Sequence, residues 1–168
     1  MKPIRAALLL SLTIAAFRCS SAPSNPAPTV PVAGSASDVA ALAGRWEGEY
    51  ASEATGRSGS IVFELKPGDR VARGDVYMKP RPAPAGSSEL PGTTPAIPQI
   101  LTISFVSASG GVLTGTMDPY TDPSCDCEVR TTFVGRLSGD RIAGTFTTTP
   151  TGAAPITTGE WSMRRRRQ

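Results

Sequence analysis

Along most of this chain apolar and polar positions alternate. "SIVFEL" places Ile61, Phe63 and Leu65 on one side of an extended segment, and "QILTISFV" does the same with Leu101, Ile103 and Phe105. A shorter pattern, apolar-x-Gly-x-apolar, keeps returning. It runs through Trp46, Gly48 and Tyr50, then Ala72, Gly74 and Val76, then Leu113, Gly115 and Met117. It recurs in Phe133, Gly135 and Leu137, in Ile142, Gly144 and Phe146, and more weakly in Thr157, Gly159 and Trp161. A period of two puts each glycine on the same face as its apolar neighbours. A glycine inside a strand weakens it unless something requires the missing side chain. On an inner face it lets strands bend around a tight barrel, or it leaves room for a large neighbour or a ligand.

Helical periodicity is confined to the N-terminal part. "DVAALA" reads as a short helical turn capped by Ser37 and stopped by Gly44. Beyond it, turn signals at "KPGDR", "SASGG" and "LSGDR" separate extended pieces. The predicted strands lie near 45–51, 59–66, 70–79, 99–107, 111–118, 127–138, 140–148 and 156–164. Most of their connections are hairpin-length, so successive strands should be neighbours. The expected fold is all-β: an eight-stranded antiparallel up-and-down (meander) β-barrel. One connection is far too long for a hairpin. Pro80 to Pro98 carries six prolines and must lie over one mouth of the barrel or hang off it.

The opening residues "MKPIRAALLLSLTIAAFRCSS" set a basic head before an uncharged apolar run, Ala6 to Phe17. That run is short for a membrane span and suits the core of a signal peptide. Ser20 to Ser37, with Pro23, Pro26, Pro28 and Pro31, keeps no apolar period and reads as a disordered tether. The expected division is a signal segment over 1–19, a tether over 20–37 and a barrel domain over 38–168. The domain carries the proline-rich loop at 80–98 and an arginine tail at 164–168.

Charge narrows the function classes. The 168 residues hold 17 Lys and Arg against 14 Asp and Glu. Without Lys2, Arg5 and Arg18 of the signal segment the balance is 17 − 3 = 14 against 14. Four of those basic residues are Arg164 to Arg167, so the body is slightly acidic and does not suit nucleic acid. The tail itself could meet anionic headgroups or serve as a solvated end. There is no histidine, no Gly-x-Ser-x-Gly and no Ser-Lys arrangement, which argues against an enzyme. The carboxylate pairs Glu47 with Glu49 and Asp126 with Glu128 are expected to face water.

Of the three cysteines, Cys125 and Cys127 stand one residue apart in "SCDCEV". In an oxidising compartment an even pair defaults to a disulfide, with free thiols or a metal clip as the alternatives. Two cysteines without histidine do not close a tetrahedral zinc site, even with Asp118, Asp122, Asp126 and Glu128 nearby. No cofactor or metal is expected.

Two resemblances add to this reading. Cys19 behind the apolar run, followed by Ser20 and Ser21, resembles a bacterial lipoprotein signal, although Arg18 departs from the usual small residue. It implies acylation of Cys19, a membrane partner through that anchor, and an outer-membrane or periplasm-facing location; the alternative is an ordinary signal-peptidase cut after Ala22 in "CSSA" and a secreted chain. At "AALAGRWEGEY", a helical turn and then Gly44-Arg45-Trp46 at the first strand resemble the opening of lipocalins and other calycins. Avidins also begin near a Gly-x-Trp. The resemblance implies a barrel whose tryptophan closes one end, with Arg164 or Arg165 packing across it. It also implies a small apolar or amphipathic ligand within. Trp46, Tyr50, Phe63, Met78, Phe105, Met117, Phe133, Phe146 and Trp161 would line the interior. The same set also describes a filled core, which would make the protein a structural or interaction module.

Overall fold

The computed structural model of the chain describes residues 28–79, 98–123 and 125–167. The expected signal segment, Cys19, the first part of the tether and most of the proline-rich loop lie outside the described residues. The period-two segments form strands β2 (Gly44–Ser52), β3 (Arg57–Leu65), β4 (Val71–Met78) and β5 (Gln99–Ser109). After these come β6 (Val112–Met117), β7 (Tyr120–Asp122), β8 (Cys127–Ser138), β9 (Arg141–Pro150) and β10 (Thr157–Arg165). Burial alternates along them, most regularly in β4, where every second residue is buried. The β5–β6 hairpin turns through Gly110 and Gly111, with φ of 57° and 76°. That is the left-handed pair a two-residue type I′ turn needs.

The sheet closes on itself. With β1 at Val30–Gly34, its order is β6-β5-β1-β4-β3-β2-β10-β9-β8, and pairing of β6 with β8 completes the barrel. β7 continues beyond β6 along the same edge of β8. The closed all-β barrel agrees with the pattern in the sequence, but the strand count and the purely antiparallel meander do not. A ninth strand, β1 (Val30–Gly34), comes from what the sequence reads as tether. It lies antiparallel to β4 (Val30↔Ala72) and parallel to β5 (Val32↔Val106), so the sheet is mixed. The reason is local. β4 and β5 pair directly only over 75–78 and 99–102. Beyond that they part, and β1 fills the gap with Val30 and Val32 buried. Pro28 and Pro31 mask this strand in the sequence. Pro31 is tolerated because it points outward and pairs at the first residue of β4.

A short helix, α1 (Ala36–Ala41), follows β1 and is capped by Ser35 rather than Ser37. The Ser35 side chain accepts the Asp38 backbone N–H at 3.1 Å. The helix plugs one end of the barrel, with Val39 and Leu42 buried above Trp46, Leu65 and Ile142. Trp46 is fully buried and donates its indole N–H to the Leu42 carbonyl at 2.8 Å. The Arg165 guanidinium lies 4.3 Å above the Trp46 ring. It also donates to the carbonyls of Ala41 (2.7 Å) and Ala43 at the end of α1, and to Asp140 (3.1 Å). One cation thus fastens helix, first barrel strand and last strand together.

Within the described part of the arginine tail, Arg164, Arg166 and Arg167 are exposed and Arg165 is not. Arg165 is structural, Arg166 pairs with Glu47 at 2.7 Å, and Arg167 reaches Asp140 at 3.6 Å. Glu47, hydrogen-bonded first by Arg45, is held below its ordinary carboxylate pKa.

Candidate functional site

Apart from the parallel pair β1 and β5, neighbouring strands run antiparallel, so the connections sort to two ends. The α1 end is closed. At the other end lie the Ser52–Arg57 turn, Met78 and Gln99, the Asp122–Cys127 turn, and the Pro150–Thr157 segment. Between the ends is a cavity of about 90 Å³ lined mainly by apolar side chains and opening towards this mouth.

Tyr50, Phe63, Met78, Met117, Phe133, Phe146 and Trp161 line that space, as the alternation predicts. Two expected residues do not. Trp46 belongs to the plug at the closed end. Phe105 points outward and is 39 % exposed. A register shift between Ile103 and Phe105 inverts the parity of β5, so Val106 and Ala108 face inward in its place. Phe105 instead borders a shallow outer groove with Thr116, Thr132 and Thr147.

Three glycines of the repeated pattern, Gly115, Gly135 and Gly159, are seats for aromatic rings, as is Gly59 outside the pattern, whereas Gly48 and Gly144 face the backbone of a neighbouring strand. A Cβ on Gly115 would collide with Phe133, one on Gly135 with Trp161, one on Gly159 with Phe146, and one on Gly59 with Tyr50. The rings lie flat over these gaps and meet edge to face, Tyr50 with Phe146 and Phe133 with Trp161, each pair at 5.7 Å. Trp161 reaches across Gly144 and Gly135 to donate its N–H to the carbonyls of Val134 (3.2 Å) and Thr145 (3.1 Å). Room for a large neighbour is thus what these glycines provide. At Gly144 a Cβ would also meet backbone, with Gly135 Cα only 2.5 Å away, so enlarging it disturbs the fold before the cavity.

The mouth is polar. Arg57 and Asp122 form an ion pair at 2.8 Å, with side chains only 12 % and 9 % exposed. A second Arg57 nitrogen contacts the Met78 sulfur at 3.1 Å. Tyr120, Thr131 and Thr148 share a hydroxyl chain, with separations of 3.3 and 2.8 Å. Ser52 donates to the Thr158 carbonyl at 2.7 Å. Among the described residues, two donors in the cavity wall are buried without a hydrogen-bond partner: the Tyr50 hydroxyl and the Arg57 Nε–H. Burial, helped by nearby Tyr120, holds the Tyr50 phenol well above its ordinary pKa, so it keeps its proton.

Parity in the sequence points to some of this cluster. Arg57 shares the face of Gly59, Ile61 and Phe63, and Thr131 and Thr148 share the faces of Phe133 and Phe146. Asp122 follows Pro119, which breaks the count. Its position is set by pairing with Cys127 at the start of β8. Cys125 and Cys127 are disulfide-bonded, with Cα atoms 5.1 Å apart, and Asp126 between them takes a left-handed φ of 49°. That turn lets neighbours two apart come within bridging distance, and it ties the β7–β8 hairpin beside Asp122. Asp126 and Glu128 are exposed. Among the described residues no group of three or more His, Cys, Asp or Glu gathers to hold a metal ion.

No family model matches the chain, and no curated protein or solved structure matches it significantly.

Proposed function

We propose that the protein is an exported envelope module, anchored by lipid at Cys19, whose barrel binds a small apolar or amphipathic molecule. The observation that carries this reading is the apolar cavity under a polar mouth. The space is closed by Trp46 and α1 at one end and rimmed by Arg57, Asp122 and Tyr50 at the other. Barrel mouths are favoured ligand sites, and apolar walls with a few convergent polar groups are their usual composition. The Arg165–Trp46 stack supports the calycin-like resemblance, with Arg165 as the distal arginine. The wall holds no histidine and its carboxylate is spent on Arg57, which favours binding over catalysis. The location that fits is the outer membrane or the periplasm.

One observation favours a second reading. The aromatic rings occupy most of the lumen, and about 90 Å³ is little beside the ~300 Å³ at the lower end of typical ligand pockets. A filled barrel would act through its surface as an interaction module. Native and denaturing mass measurement of the full-length chain from a Gram-negative envelope separates the two. A lipidated chain beginning at Cys19 with an added mass lost on denaturation is the expected result. A lipidated chain that never carries a small molecule supports the filled barrel. An unlipidated chain sinks the anchor.

A further inference from the structure

Resting on the binding reading, we infer that the ligand presents an uncharged acceptor oxygen, a ketone, ester or amide carbonyl, to the paired donors Tyr50 Oη–H and Arg57 Nε–H.

Nearly every other polar group described at the mouth already has a use. Asp122 takes one Arg57 nitrogen and Met78 a second. Ser52, Tyr120, Thr131 and Thr148 are hydrogen-bonded within the barrel. The Trp161 N–H is shared between two carbonyls. Among the described residues, the wall's buried donors without a partner are the Tyr50 hydroxyl and the Arg57 Nε–H. Native proteins seldom leave buried donors unmade, because each costs its full desolvation. The Gln99 Oε1 is also unpartnered, but it does not line the cavity. An arginine Nε–H can only donate. Tyr50 can do either, but it retains its proton because burial raises its pKa, so the wall presents two donors, and the inferred clamp is one acceptor shared between them.

The charge of that acceptor follows from Asp122. The Arg57 cation is already neutralised at 2.8 Å in a largely buried pair. A carboxylate entering here would lose its hydration and face Asp122 without an unpaired cation to meet it. A carbonyl oxygen loses less and accepts from both donors. Its apolar body would lie over the aromatic rings, in a space that limits it to a small ring or short chain.

The test uses full-length protein and three probes of similar shape: cyclohexanone, methylenecyclohexane and cyclohexanecarboxylate. Affinities are read by titration, and the Arg57 Nε–H resonance is followed by NMR. Cyclohexanone is expected to bind about tenfold more tightly than methylenecyclohexane, the worth of one well-made hydrogen bond to a buried donor. It is also expected to shift the Arg57 Nε–H signal. Tyr50→Phe, which keeps the ring that covers Gly59, should remove about that tenfold preference of ketone over hydrocarbon. Equal binding of ketone and hydrocarbon would overturn the clamp while leaving the lumen a binding site. Tighter binding of the carboxylate would overturn the neutral ligand. Failure of all three to enter would overturn the binding reading itself.

Discussion

The two ends of this barrel are built from opposite uses of an arginine. At the closed end Arg165 spreads over the Trp46 ring and spends its donors on Ala41, Ala43 and Asp140. No polar group of Trp46 is left unmet, because its N–H binds Leu42. At the open end Arg57 also pairs with a carboxylate, yet keeps one donor unspent beside an equally unspent tyrosine hydroxyl. The closed end is a finished structural joint. The open end has the same kind of parts with two buried donors unpartnered among the described residues, and the proposed binding role rests on that difference.

Substitutions at the closed end should have the largest effects. Trp46→Ala is expected to cost about 4 kcal/mol, as for other large buried aromatics, and to unfold the barrel as a unit. Urea denaturation followed by circular dichroism measures it, and a loss below about 1 kcal/mol would mean the plug is dispensable. Next comes the wall between the ends. Gly144→Ala drives a methyl group into backbone and should cost about 3 kcal/mol. Gly74→Ala meets only side chains, the nearest 3.0 Å away, and should stay within about 1 kcal/mol. Similar costs at both would deny that close strand approach, rather than flexibility, is why Gly144 is glycine.

Effects at the mouth are smaller. Replacing both Cys125 and Cys127 by serine opens a loop of only three residues, so chain entropy assigns the bond about 1.5 kcal/mol. A much larger loss of stability would mean that the disulfide holds Asp122 against Arg57 rather than merely closing a turn. Smallest is the Tyr50 hydroxyl. Tyr50→Phe removes an unpaired buried group and should stabilise the unliganded protein by about 1 kcal/mol. The Tyr50 pKa is raised in the folded state, so its contribution is complete below the unfolded value. As pH climbs past the ordinary phenol value near 10, the unfolded chain loses this proton first and stability falls. The Tyr50→Phe variant should lack that part of the alkaline decline in a pH series of melting curves.

The lumen wall was the most legible part from sequence, and the reason is physical. Period-two alternation reports which face a residue takes, so it places Phe63, Phe133, Phe146 and Trp161 correctly in the lumen. It also carried Arg57, had its parity with Ile61 been followed past Gly59. Alternation fails wherever the register shifts. The bulge in β5 turned Phe105 outward, and Pro119 hid the inward aim of Asp122. β1 was lost for another reason. A strand of five residues between prolines has too little pattern to stand out, and it exists because β4 and β5 part and leave a gap that only tertiary structure reveals. The glycines showed in the sequence as a repeat. Their partners, rings on neighbouring strands, depend on register between strands, which no single segment contains.

The measurement that bears most directly on the difference between the ends is diffraction from crystals under xenon pressure. Xenon enters preformed apolar space without needing a hydrogen bond. The expected result is density in the lumen among Phe133, Phe146 and Trp161, with none beneath α1 around Trp46. A lumen that excludes xenon, or a gas site at the Trp46 end, would contradict the account of one end as finished core and the other as a binding mouth.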